Sequence, residues 1–361
     1  MSATIENAID KKIGEVRTDA LDLSFGEIAN LYSSKELIIQ PEYQRLFRWT
    51  LEQRSRIVES ILLELPIPQI FVIENPSGVI ELIDGLQRVS SVIQFIEPGV
   101  LGLEPLQLVG CDLISELNGK LFEDLSLTLK LRIKRSSVRT IVIKRQSSSF
   151  LRYEMFKRLN TGGSGLMPQE IRNCTARMLG DEGVRFYKFL QDCAATPRFK
   201  SCTETLSSSD REQKADEELV LRFFATKNAQ EMFHGSVRDW LDDYMESVLL
   251  RKVEFEYGKE LDDFTAVFDV LNRVIGAGAF VRYRGQDPVG GLAPAYFESV
   301  TIGTFRNLPG VVGVDSNAFR QAIAATVQGE DFRRATGPGA NSREKLESRI
   351  ATIQSAIEAL I

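Results

Sequence analysis

The chain has 361 residues, 43% of them hydrophobic and 26% charged, with a net charge of −6. These are the proportions of a globular protein long enough for one large or two ordinary domains, and the acidic balance argues against a surface that attracts nucleic acid all over. No window holds the ~18 uninterrupted apolar residues of a membrane span, and "MSATIENAIDKKIGE" lacks the apolar centre of a signal peptide, so a cytoplasmic protein without a membrane partner is expected.

In chain order, "QPEYQRLFRW" (Gln40 to Trp49) reads as a polar and aromatic loop. Thr50 opens a helix, with Gln53 three residues on to complete a capping box. Ile57, Ile61, Leu62 and Leu65 share one face of that helix, which must stop before Pro66-Ile67-Pro68. Gln69 to Ile73 is a strand, Asn75 to Gly78 a turn, and Val79 to Ile83 the hairpin partner. After Asp84-Gly85 the period changes from two to 3.6, putting Val89, Val92, Ile93 and Ile96 on one helical face.

A loop-rich stretch runs to about Leu125, and Val138 to Lys144 is the next strand. "SSFLRYEMFKRL" reads as a helix closing at Asn160-Thr161-Gly162-Gly163, and another starts at Pro168. Beyond about residue 176 the pattern is helical: roughly 180–192, 215–227, 236–250, 259–276, 293–303, 316–328 and 342–360. Asn341 and Glu344 form a candidate capping box for the last. The fold class expected is α+β, divided as a lead-in at 1–19, an α+β domain at 20–175 and an α-helical domain at 176–361.

Four cysteines, Cys111, Cys174, Cys193 and Cys202, have no metal-like spacing and read as reduced core thiols. The single histidine, His234, cannot supply both the base and the metal ligands of a His-Asn-His nuclease, nor a multi-histidine zinc site. No GxSxG turn accompanies it to make a serine triad.

Three polar stretches can carry chemistry. Asp84-Gly85-Leu86-Gln87-Arg88 sits where a strand becomes a helix. Asp84 as N-cap and Gln87 at the third position can form a capping box. The same helix start offers unpaired N–H groups and a positive dipole end to a phosphate, with Arg88 in the first turn to join them. Tyr43-Gln44-Arg45, with Phe47, Arg48 and Trp49, can stack a base and pair a phosphate, or can simply anchor a long loop. Phe156 to Asn173, "FKRLNTGGSGLMPQEIRN", can be a helix end with a turn, or glycines that let the backbone approach a ligand. Separately, ten basic residues against one acid lie between Lys130 and Arg158. They suit either a solvated edge or a phosphate-binding face, with Arg139, Lys144, Arg145, Lys157 and Arg158 as the nucleic-acid candidates.

Taken together, "PEYQRLFRW", "LLELPIPQIFV", "ELIDGLQRVSSVIQF" and "FKRLNTGGSGLMPQEIRN" resemble, in order and spacing, the signatures of the GmrSD-type restriction N-terminal domain family over roughly residues 20–175. That family is often labelled by an Asp-Gly-Gln-Gln-Arg motif. The resemblance implies a ParB/sulfiredoxin-like fold in which the strand-turn-helix holds nucleotide phosphates. It implies a regulatory module of bacterial restriction or anti-phage systems that binds, and in some members hydrolyses, nucleoside triphosphates or recognises modified DNA.

Carried over, Asp84, Gln87 and Arg88 would be catalytic, with Asp84 also holding Mg2+ beside the triphosphate. Gly85, Gln44, Arg45, Asn160, Thr161, Gly163 and Arg172 would bind the nucleotide. A separate nuclease or effector protein is the implied partner, since the His-Asn-His half of longer relatives has no counterpart here. Leu86 departs from the motif's first glutamine, and Met167 stands where a Ser or Thr cap is common. The alternatives are a DNA-binding or modified-DNA-sensing module without catalysis, and a carboxylate-metal nuclease using Asp84, Glu81 and Glu170.

Overall fold

A computed structural model describes residues 17–39, 49–75, 77–145, 147, 167–337 and 339–361, with three isolated positions at Ile5, Asn7 and Met155. Two compact units make up the chain, Met1–Leu166 and Met167–Ile361.

In the first unit the described strands and helices are β1 (Thr18–Ser24), α1 (Phe25–Ser33), β2 (Leu37–Ile38), α2 (Leu51–Leu62), β3 (Ile70–Glu74), β4 (Ile80–Asp84), α3 (Leu86–Ile96), α4 (Leu127–Arg135) and β5 (Ser137–Ile143). The sheet is mixed, in the order β1-β5-β3-β4-β2. The β3–β4 hairpin is antiparallel, as its alternation and turn residues require, while β5 joins β3 in parallel. At one edge β1 runs antiparallel to β5, setting Asp22 opposite Arg139.

Thr50 caps α2, and the reciprocal bonds of its capping box are both made: the Gln53 N–H donates to Thr50 Oγ1 at 3.3 Å and the Thr50 N–H to Gln53 Oε1 at 3.0 Å. The helix ends at Leu62, earlier than its apolar pattern suggests. Glu64 takes a positive φ of 57° and Leu65 stays 44% exposed rather than extending the apolar face. A left-handed residue after the last turn stops a helix whatever hydrophobic residue follows.

The hydrophobic pattern of α3 holds: Val89, Val92, Ile93 and Ile96 are all buried. They join Phe25 and Ile28 of α1, Val58 and Ile61 of α2, Ile133 of α4, and the sheet residues Val72, Leu82 and Val142 in one core. At about 1.5–3 kcal/mol for each such side chain buried, this core fixes α3 on the sheet and so fixes where its N-terminus points.

The second unit is helical, with a small hairpin, Arg282–Arg284 with Asp287–Val289, that the sequence pattern does not signal. Its helices include Pro168–Met178, Asp181–Ala195, Ala215–Asn228, Val237–Leu249, Tyr257–Val274, Pro294–Arg306, Ser316–Gln328 and Arg343–Glu358. The last is capped by Ser342, whose Oγ accepts from the Lys345 N–H at 3.2 Å, and not by Asn341. Tilted and edge-on phenylalanines, including Phe199, Phe223, Phe264, Phe268 and Phe297, fill its centre. The α+β class therefore holds, with the sheet in the first unit and helices in the second. Among the described residues no helix is long and apolar enough to cross a membrane.

Candidate functional site

Strand β4 delivers the chain to Asp84, which still pairs with Phe71 of β3. The next residue, Gly85, turns it into α3 with φ 100° and ψ 11°. Only glycine suits this position. The left-handed φ disfavours any side chain, and a Cβ there would overlap the Ile70 Cγ2 methyl.

This turn overturns the expected capping box. Gly85 rather than Asp84 occupies the N-cap position, and among the described residues no side chain caps the helix. A cap must sit immediately before the first helical residue for its oxygen to reach the second or third N–H. Asp84 lies one residue too early, in the strand. Its carboxylate instead accepts from the Arg88 Nη2 at 3.0 Å, one helical turn on. Arg88 Nη2 also donates to the Gln69 carbonyl at 3.0 Å. Gln87 does not reach back to its own helix start. Its Oε1 accepts the backbone N–H of Trp49 at 3.1 Å.

The result is a helix start without a side-chain cap and a guanidinium beside it that is half used. Arg88 Nε is buried and unpartnered. Among the described residues no acceptor meets its Nη1 either. The Asp84 and Arg88 side chains keep 23% and 19% of their surface, so the pair is reachable from solvent. A positive helix dipole, a helix start that no described side chain caps and a guanidinium with an unmatched Nη1 amine are elements that can hold a phosphate group. Leu86, the departure from the motif, is only 6% exposed and belongs to the core, so its side chain contributes packing rather than a polar contact.

Among the described residues no group of three His, Cys, Asp or Glu side chains is placed to hold a metal ion. Mg2+ commonly takes only one or two protein carboxylates, with phosphate oxygens and waters completing its shell, and the half-buried Asp84 carboxylate, one oxygen of which pairs with Arg88, fits that requirement. Glu170 is buried and its Oε2 accepts the Met167 N–H at 2.9 Å, a bond that secures the start of the helix Pro168–Met178 where Met167 offers no side-chain cap.

Of the other expected site residues, Gln44, Arg45, Asn160, Thr161, Gly163, Lys157 and Arg158 lie outside the described residues. Arg172 does not extend an open fork to a ligand. It is buried in the second unit, where Nε donates to Asp242 at 2.7 Å, Nη1 to Gln169 at 2.9 Å and Glu218 at 3.0 Å, and Nη2 to the Arg238 carbonyl at 3.1 Å. It opens a string of alternating charges that runs from Asp242 through Arg172, Glu218, Arg222 and Glu298 to Arg349. Burial alone would push the Glu218 carboxyl up, but the Arg172 and Arg222 guanidiniums hold it below the usual carboxylate value. Sequence reading missed this string. Its trace is the occurrence of Arg222 and Glu298 inside otherwise apolar runs, "LVLRFF" and "AYFESV".

The basic run changes character once folded. Lys130 meets Glu123 at 3.1 Å, Lys134 meets Glu97 at 3.3 Å and Arg139 meets Asp22 at 3.5 Å. Lys144 lies between Asp19 at 3.3 Å and Glu74 at 3.5 Å, and its hydrogen bond to Asp19 raises its ammonium above the usual lysine value. The Arg145 backbone N–H donates to Glu74 at 3.4 Å. Acids brought in by the fold thus interleave the described part of the run, which weakens it as a phosphate-neutralising face.

Burial pushes the thiols of Cys111, Cys193 and Cys202 up, to about 11 for Cys111 and about 12 for the other two, and all three are free. His234 is exposed, two residues before the Ser236 cap of the helix Val237–Leu249.

Residues 28–176 match the family model of the GmrSD restriction endonuclease N-terminal domain, a stretch that contains the Asp84–Arg88 turn and runs into the helix Pro168–Met178. No curated protein matches the chain.

Proposed function

With a GmrSD-type restriction N-terminal domain spanning residues 28–176, we propose that the first unit is a nucleotide-binding and nucleoside-triphosphate-hydrolysing regulatory module of a bacterial restriction or anti-phage system. The observation that carries this reading is the half-used Arg88 fork beside the start of α3.

In this reading a terminal or bridging phosphate sits against the first-turn amides of α3, and Arg88, held through Nη2 by Asp84 and Gln69, offers its Nη1 amine to a phosphate oxygen. Asp84 keeps the guanidinium in place through Nη2 and contributes a carboxylate to Mg2+, which would neutralise phosphate charge when bound. Gly85 keeps the turn narrow enough for Ile70 and the phosphate to share it. The hydrolytic state would then be read by a separate nuclease or effector protein. DNA sensing by the described basic run is less favoured, because acids already pair most of its cations.

The test is calorimetric titration of the wild type and of Arg88→Ala with each nucleoside triphosphate and Mg2+, followed by a phosphate-release assay. Binding by the wild type that disappears in a still-folded Arg88→Ala supports the reading. A wild type that binds no nucleoside triphosphate overturns it.

A further inference from the structure

Gln87 lies in the middle of the turn's polar sequence, yet its side-chain carbonyl reaches away from its own helix. It accepts the backbone N–H of Trp49 across a separation of 38 residues. Trp49 directly precedes Thr50, the residue that caps α2. Farther along the same two helices, Arg54 Nη1 of α2 donates to Gln94 Oε1 of α3 at 3.1 Å, and Gln94 Nε2 donates on to the Glu104 carbonyl at 3.0 Å. Two polar ties thus index α2 along α3, and the first of them is made within the first turn of α3, next to Arg88.

We propose that Gln87 is a positioning residue that couples the first turn of α3 to the chain at Trp49 and the start of α2. It rests on the nucleotide reading above and adds a route by which occupancy of the helix start is felt elsewhere in the unit. A phosphate drawn onto the first-turn amides tightens the turn that carries Gln87. The Gln87 carbonyl carries that change to the Trp49 backbone, and the Thr50 cap passes it into α2. The tie to Trp49 runs through the side-chain oxygen of Gln87, which accepts, so the coupling needs a carbonyl or carboxylate oxygen at that place.

Trp49 itself reports on the tie. The chain has two tryptophans, and the other, Trp240, is buried in the second unit with its Nε1 donating to the Ala229 carbonyl at 2.9 Å. Trp49→Phe retains the backbone N–H and removes only the indole, so its spectrum subtracted from that of the wild type isolates Trp49. The experiment measures Trp49 emission with and without Mg2+-nucleoside triphosphate, together with calorimetric affinity, in wild type, Gln87→Met and Gln87→Glu.

The expected result is a nucleotide-dependent change in wild-type Trp49 emission. In Gln87→Met, checked by circular dichroism to be folded like the wild type, the ligand-free Trp49 emission shifts, the response to nucleotide is lost, and affinity falls about three- to tenfold. Gln87→Glu keeps the acceptor oxygen and restores the ligand-free emission. Unaltered emission or unaltered affinity in Gln87→Met overturns the proposal. If the wild type binds no nucleotide, the functional reading falls and the coupling with it, and an emission shift in Gln87→Met then marks the tie as purely structural.

Discussion

The Asp84 carboxylate and the Arg88 guanidinium meet at 3.0 Å across one turn of α3. This pair uses one amine of Arg88 and one oxygen of Asp84, and among the described residues the Nη1 amine meets no acceptor. An acid that capped its helix would have withdrawn the amides from any ligand. The acid found here orients an arginine instead, and among the described residues no side chain caps the helix start.

Replacing Arg88 by Lys tests the fork itself. A lysine keeps the charge but cannot hold Asp84 and Gln69 with one amine while offering a second, coplanar amine to a ligand. Nucleotide affinity is expected to fall by about 1.5–3 kcal/mol in Arg88→Lys, the range for a hydrogen bond to a charged group. Calorimetry against wild type reads this directly, and equal affinity would show that only charge is needed.

Gly85→Ala combines a left-handed φ of 100° with a methyl that overlaps Ile70. We expect a loss of stability of about 2 kcal/mol or more, from backbone strain and overpacking together. Urea unfolding followed by circular dichroism measures it. The companion Gly78→Ala, also at positive φ but with open space around its Cβ, is expected to lose less.

Removing Glu298 strands two cations. Arg222 Nη1 lies 2.8 Å from it, and Arg349 bonds its other oxygen in a site that is almost fully buried. Breaking a buried ion network by deleting one partner costs about 3–5 kcal/mol. Glu298→Ala should therefore lower the urea midpoint of the second unit strongly. Replacing Glu330, whose pair with Arg334 is exposed, should leave it nearly unchanged.

The buried thiols yield a pH prediction. Unfolded, a cysteine gives up its proton near the ordinary value of 9.0, whereas folded Cys193 and Cys202 hold theirs to about 12. Above pH 9 the unfolded state binds fewer protons, so stability falls as pH rises through this window. At pH 8 the native protein should react slowly with a thiol-alkylating reagent at these two sites and rapidly in urea, as mass spectrometry of the labelled peptides would show.

The acid side of the profile has the opposite sign. Glu218 is held below the ordinary carboxylate value by Arg172 and Arg222, so the stability it contributes is present above that ordinary value. It is lost as pH falls through the depressed one. Glu218→Gln should flatten the acid limb of a pH-stability curve of the whole protein, measured by thermal unfolding. An unchanged limb would show that this carboxylate plays no part in it.

Much of the framework was legible before any coordinates. Thr50 with Gln53, the β3–β4 hairpin and the apolar stripe of α3 were readable because caps, turns and helical periodicity act within a few residues. The family resemblance carried by the four motifs was equally plain, and the family-model match over residues 28–176 supports it.

What the sequence by itself determined is therefore the place of the strand-to-helix turn at Asp84-Gly85 and the α+β character of the unit around it. Only the tertiary structure decided what those side chains do. Asp84 pairs with Arg88 because β4 keeps it in the strand and Gly85 takes the cap position. Gln87 faces Trp49 because the core packs α2 on α3. The basic run is interleaved with acids because β1 lies against β5 and sets Asp22 opposite Arg139. Arg172 is buried among Asp242 and Glu218, partners 70 and 46 residues away. Caps and periodicity are short-range interactions written in neighbouring residues. Charge pairing depends on which distant segments the hydrophobic core brings within about 4 Å, and one sequence read in order does not reveal that.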